Sequence, residues 1–200
     1  LKEQGFWVWG YDYGDMIAPG FFGAGDLNSI VADVEDHVAR VLRKTGATQV
    51  DIVAHSQGAL MTKLFIARGG AETVRRVVAM GGNFHGTTLG GQGEGLAKFI
   101  AFAPRLAAFL ASTAGIQQVV GSEFMQRLNA LPDTAPGVLY TSIYSPADTT
   151  VTPNSSSQLV AVDGADVVVV CVFTDDQVRQ LCLEGELVEA MAPGTSLVLH

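Results

Sequence analysis

Hydrophobic and polar positions in this chain fall into two kinds of segment, short near-continuous apolar runs and longer amphipathic stretches. FWVWGY (6–11) is aromatic and β-branched and predicts a short strand. A Gly/Pro loop, APGFFGAG (18–25), follows. In DLNSIVADVEDHVARVLRKTG (26–46), Ile30, Val34, Val38, Val41 and Leu42 share one face at helical spacing. Asp26 or Asn28 can cap its start, and Gly46 sits where a helix ends. Acids Asp33, Glu35 and Asp36 precede Arg40, Arg43 and Lys44, an order that suits the helix dipole. QVDIVA (49–54) reads as a buried strand, GALMTKLFIARGG (58–70) as a helix closing on glycines, and RRVVAMGG (75–82) as the next strand. A Gly-rich loop, NFHGTTLGGQGEG (83–95), follows it. Helices are expected over 96–111 and 122–129 and from Asp175, with strands at GVLYTSIYS (137–145), VVVVCVF (167–173) and SLVLH (196–200).

Alternating strands and helices with apolar strands predict an α/β fold, a mostly parallel sheet with helices on both faces. Pocket residues are then expected at the carboxyl ends of the strands. The 200 residues, 48% hydrophobic and only 16% charged, suffice for a globular domain with a sizeable core. The net charge of −8, with no Lys/Arg run, argues against nucleic acid as a partner. Cys171 and Cys182 have the spacing of neither a disulfide framework nor a metal site, so no metal is expected. LAKFIAFAPRLAAFLA (96–111) is too short to span a bilayer and is interrupted by Lys98, Pro104 and Arg105. It reads as a surface helix or a lid. The start, LKEQGFWVWGYDYG, has no signal-type pattern, so no localisation is read from it.

The chemistry concentrates in AHSQG (54–58). Ser56 falls on a sharp turn between strand and helix, which holds a nucleophile in strained geometry above the sheet. Such crowding needs small residues two before and two after, here Ala54 and Gly58. The amide of Gln57, at the helix start, points where an oxyanion forms.

With this motif the sequence resembles the α/β-hydrolase lipases and esterases, in particular the class 2 triacylglycerol lipases. The resemblance covers about residues 1–160. It is carried by GYDYG (10–14), VDIVAHSQGAL (50–60), MGGNFHGT (80–87), GSEFMQRLN (121–129) and YTSIYSPADTTVTP (140–153). It implies an α/β-hydrolase fold, here truncated at the N-terminus and lacking the strand and HG-type loop that supply a second oxyanion donor. It also implies ester hydrolysis on lipid or other carboxylic esters through an acyl-enzyme, with no cofactor. A lid would add contact with lipid surfaces. The family is often secreted.

The order of a triad in this fold is Ser, then Asp or Glu, then His. Asp148 follows the strand LYTSIY, and the resemblance puts the acid there; an Asp capping a turn beside Pro146 is the plainer account. The base is open. His55 adjoins Ser56 and points to the opposite face. His37 lies beside the apolar face of the long helix, and His85 precedes Asp148, the wrong order for a base. His200 ends the last strand, one element later than the resemblance requires.

From about Asp163 the chain resembles instead the NAD(P)-binding domain of the 3-hydroxyisobutyrate dehydrogenases, in ADVVVVCVFTDDQVRQL and APGTSLVLH. The dinucleotide fingerprint is absent: in GGQGEG (90–95) the last glycine comes one place early, and no strand leads into it. No NAD(P) binding is therefore expected. The organisation expected is an incomplete lipase-like domain over 1–160 and a βαβ segment over 161–200. A gene fusion, a frameshift or an assembly error could each have joined them. Three functions stay open: an ester hydrolase, a catalytically dead relic of the lipase fold, and an oxidoreductase role carried by the tail.

Overall fold

The structure, a computed structural model, describes residues 1–14, 16, 22–88, 112–171 and 195–199. The helices expected over 96–111 and from Asp175, the segment 90–95 and His200 lie outside the described residues.

Six strands form one sheet: β1 (Trp7–Gly10), β2 (Val50–His55), β3 (Val74–Met80), β4 (Leu139–Tyr144), β5 (Asp166–Cys171) and β6 (Thr195–Leu199). Their order is β1-β6-β2-β3-β4-β5, and every pairing is parallel. Among the described residues four α-helices accompany them: α1 (Leu27–Thr45), α2 (Gln57–Ala67), α3 (Thr113–Gln117) and α4 (Glu123–Asn129).

Helix α1 forms where its pattern predicts. Asp26 is the N-cap, its side chain accepting the Asn28 amide at 3.0 Å, and Gly46 closes the helix at φ 73. Ile30, Val34, Val38 and Val41 are buried and Leu42 partly so. Burying each such side chain stabilises the fold by about 1.5–3 kcal/mol. Helix α2 differs: ten of its eleven residues are buried, from Gln57 to Ile66, so it has no solvent-facing stripe. Its wall of contacts includes α1 and β2.

Alternation along the strands divides the core in two. Val50, Ile52 and Ala54 of β2, Val77 and Ala79 of β3 and Tyr140 of β4 join the helices in the larger cluster. Val53, Val78 and Ile143 face the other way and pack with Phe6 in a smaller one. Asp51, 1% exposed, is tolerated in β2 because Arg75 grips it with two hydrogen bonds, at 2.8 and 2.5 Å.

Because all strands run one way, β2, β3 and β4 end at the same edge of the sheet. Their ends are tied together: Ser56 N–H donates to the Met80 carbonyl at 2.9 Å, and Gly81 N–H to that of Ile143 at 2.8 Å. β6 runs to the same edge, with Leu199 beside Ala54.

Candidate active site

Ser56 sits between the last residue of β2 and the first of α2. Its backbone is at φ 51, ψ −120, and among the described residues it alone, apart from glycines, has a positive φ. A non-glycine residue held there costs on the order of 1–3 kcal/mol, so surrounding contacts must impose it. The turn is crowded on both sides, with Ala54 fully buried and Gly58 buried at the first turn of α2.

Gln57 is the first residue of α2, so its amide belongs to the orphan donors at the positive end of the helix dipole. The side chain is 5% exposed. Its Nε2 donates to the Gly23 carbonyl at 2.8 Å, and its Oε1 accepts Nε2–H of Gln118 at 2.6 Å. Gly23 belongs to the loop FFGAG, where Ala24 is buried and Phe22 partly exposed.

Asp148 lies four residues beyond β4. One carboxylate oxygen, Oδ1, accepts the amides of Thr150 at 2.7 Å and Val151 at 3.1 Å. The backbone carbonyl accepts Asn154 Nδ2 at 2.7 Å. The other oxygen, Oδ2, turns back toward the end of β3 and lies 3.9 Å from where a Cβ on Gly81 would stand. The carboxylate thus caps its own turn with one oxygen and leaves the other facing Gly81, just beyond β3.

The histidines separate clearly. His37 stacks on Tyr11, ring centroids 3.5 Å apart, and its Nδ1 meets the Asp33 carbonyl at 2.8 Å. His55 is exposed at the end of β2. His85 is held at both ring nitrogens: Nδ1 by Asn129 at 3.3 Å, and Nε2 by the Gln158 carbonyl and Asp133, each at 3.2 Å. It belongs to a second cluster in which Asp133 also accepts Lys63 Nζ at 2.6 Å. The Asp133 hydrogen bond raises the His85 pKa against the pull of burial. Burial alone would push Asp133 up, but its bonds from His85 and Lys63 prevail and hold it at about 2. Lys63 itself is 3% exposed, although its place on a helix gave no sign of that.

Sequence patterns did not point to Gln118, Asn83 or the burial of Lys63. Glutamine and asparagine carry no reactive signature, and Gln117-Gln118 sits between Ile116 and Val119-Val120 with no motif around it. Among the described residues no group of three or more His, Cys, Asp or Glu is arranged to hold a metal ion, and no helix is long and apolar enough to cross a membrane.

Comparison with known proteins gives a match to the family described as Lipase (class 2) over residues 8–183. No curated protein matches the chain. Among solved structures it is similar to lipase B of Aspergillus fumigatus, at 23% identity and TM-score 0.55, over 74% of this chain and 34% of that one. It is also similar to the mature form of the Bacillus licheniformis lipase BlEst2, at 13% identity and TM-score 0.56, over 82% and 75%. The lin2722 product of Listeria innocua matches at 16% identity and TM-score 0.55, over 88% and 71%. At these identities the likeness is one of fold, an α/β-hydrolase fold. The chain spans about a third of the fungal lipase's length.

Proposed function

Because the chain belongs to the class 2 lipase family, we propose that it hydrolyses carboxylic esters, lipid esters among them, through an acyl-enzyme. The observation that carries this reading is the strained Ser56 between a buried strand and the helix that opens at Gln57. In the proposed reaction Ser56 Oγ attacks the ester carbonyl carbon and its proton passes to a histidine base. The carbonyl electron pair moves onto oxygen, where the Gln57 amide donates to it. The tetrahedral species collapses, the base returns the proton to the departing alkoxide, and the acyl group stays on Ser56. Water then attacks, losing its proton to the same base, and the acid leaves as Ser56 is regenerated. Asp148, through Oδ2, orients the base and steadies its imidazolium.

Two observations support treating the start of the tail as part of this hydrolase rather than as a nicotinamide-binding unit. The family match runs past residue 160 to 183. β5 also continues the sheet beside β4, in register from Leu139↔Asp166 to Tyr144↔Cys171.

The test is hydrolysis of a short-chain p-nitrophenyl ester by the purified chain beside Ser56→Ala. Turnover is expected in the first, and loss on the order of a millionfold in the second. His200→Ala then asks whether the residue after β6 takes the proton; if so, its loss matches that of Ser56→Ala. A folded wild type as inert as Ser56→Ala would replace the hydrolase reading with that of a relic of the lipase fold.

A further inference from the structure

Three buried side-chain amides form a continuous chain behind the nucleophile turn. Asn83 Nδ2 donates to Gln118 Oε1 at 2.6 Å, Gln118 Nε2 donates to Gln57 Oε1 at 2.6 Å, and Gln57 Nε2 donates to the Gly23 carbonyl at 2.8 Å. All three residues are nearly inaccessible, at 3%, 4% and 5% exposure for Asn83, Gln118 and Gln57. The direction of the chain is fixed at two points. Gln57 and Gln118 each place their –NH2 against a backbone carbonyl, Gly23 and Ala114, at 2.8 and 3.0 Å, and a carbonyl can only accept. Neither amide can flip without setting oxygen against oxygen.

Each link comes from a different part of the chain: the loop after β1, the start of α2, the loop after β3, and α3 with its following residue. The scaffold continues from Gly23 and from Gln118. Gly23 N–H donates to the Tyr13 carbonyl at 2.8 Å, and Thr87 N–H donates to the Gln118 carbonyl at 2.9 Å. What the amide chain grips is the residue directly after the strained serine. A backbone at φ 51, ψ −120 persists only where its neighbours over-determine it. Gln57 is held through both atoms of its amide, in a dry setting where exchange with water is not an alternative.

We propose that Gln118 is a positioning residue for the nucleophile, acting through Gln57: it holds the first residue of α2 so that the Gln57 amide and Ser56 Oγ keep their mutual geometry. Asn83 supports it by fixing the Gln118 oxygen. This rests on the hydrolase reading for its kinetic consequence but not for its structural one.

The test compares Gln57→Met, Gln118→Met and the double variant, which keep side-chain length and remove the amides. Against a p-nitrophenyl ester, Gln118→Met is expected to lower kcat about tenfold, the loss corresponding to one hydrogen bond, with KM unchanged. The double variant should be no slower than Gln57→Met alone, because Gln118 then has nothing left to act through. Losses that multiply in the double variant, or that appear in KM alone, would overturn the proposal. A second measurement needs no turnover: amide hydrogen exchange at Ser56, whose N–H is bonded to the Met80 carbonyl, followed by NMR, should quicken at least tenfold in Gln118→Met while the amides of Leu64 and Phe65 keep their rates. If the wild type is inert on esters yet this local quickening is seen, the positioning role stands and the hydrolase reading falls. Unchanged exchange at Ser56, or a rise of equal size along all of α2, sinks the positioning role whatever the kinetics show.

Discussion

At Ser56 the cost of a reactive geometry is local and can be measured. The residue stands at φ 51, where glycine is comfortable and a Cβ is not. Ser56→Gly is therefore expected to be more stable than Ser56→Ala by about 1 kcal/mol, read as the difference in urea midpoint, although neither can attack an ester. An equal stability for the two would mean that the turn is not strained. The sharp turn at Ser56, the helix opening at Gln57 and the place of Asp148 just beyond a strand were legible in the sequence because each depends on a short local pattern, a strand, a turn and small neighbours. Gln118 was not, because its meaning lies in meeting Gln57 and Asn83 across 61 and 35 residues. Lys63 was hidden for a related reason. A lysine on a helix reads as solvent-facing until Asp133, seventy residues on, is seen to pair with it at 2.6 Å.

At the level of elements, the amphipathic period of α1 and the apolar runs of the strands were enough to place them to within a residue or two. The loops were not legible, and they carry most of the site. The start of α1 illustrates how a loop contact enters an element's stability. Asp26 caps the helix and also accepts Gln117 Nε2 at 2.7 Å, while Gln117 Oε1 accepts the Leu27 amide at 2.8 Å. These bonds, the one from Gln117 foremost, hold the Asp26 carboxyl below the usual carboxylate range. Asp26→Ala is expected to cost about 1 kcal/mol in chemical denaturation, the usual value of a cap. Gln117 and Gln118 thus divide the work of one short segment: the first supports the start of α1, the second the residue after Ser56.

For the whole molecule, the group Lys63–Asp133–His85 joins α2, the loop after β3 and the loop before β4. Its two titrating members act in opposite directions on stability. Asp133 has a depressed carboxyl, so its contribution is present above about pH 4 and is lost as pH falls toward 2. His85 has a raised pKa, so its contribution is complete below about pH 6.5 and is lost as pH rises through the folded value. Melting temperature should accordingly fall between neutral and mildly alkaline pH in the wild type, and His85→Gln should remove that part of the slope while leaving the acid limb in place. A variant with an unchanged alkaline limb would show that the His85–Asp133 contact carries no weight.

The placement of β6 bears on when the protein can fold at all. Trp7 pairs with Thr195, near opposite ends of a 200-residue chain, and the same strand separates β1 from β2. Among the described residues the sheet partner of β1 is β6, so this pairing waits until residues 195–199 have left the ribosome. Trp9, which packs against the larger core cluster, waits with it, whereas Trp7 is 65% exposed even in the sheet. Pairings of such long sequence separation are slow to close and leave apolar edges open to other chains meanwhile. A chain ending at Gly194 is expected to leave β1 undocked, with tryptophan emission shifted to the red and a tendency to aggregate. In the intact protein the shift back to the blue should be among the last events of refolding, as β6 fills the place between β1 and β2.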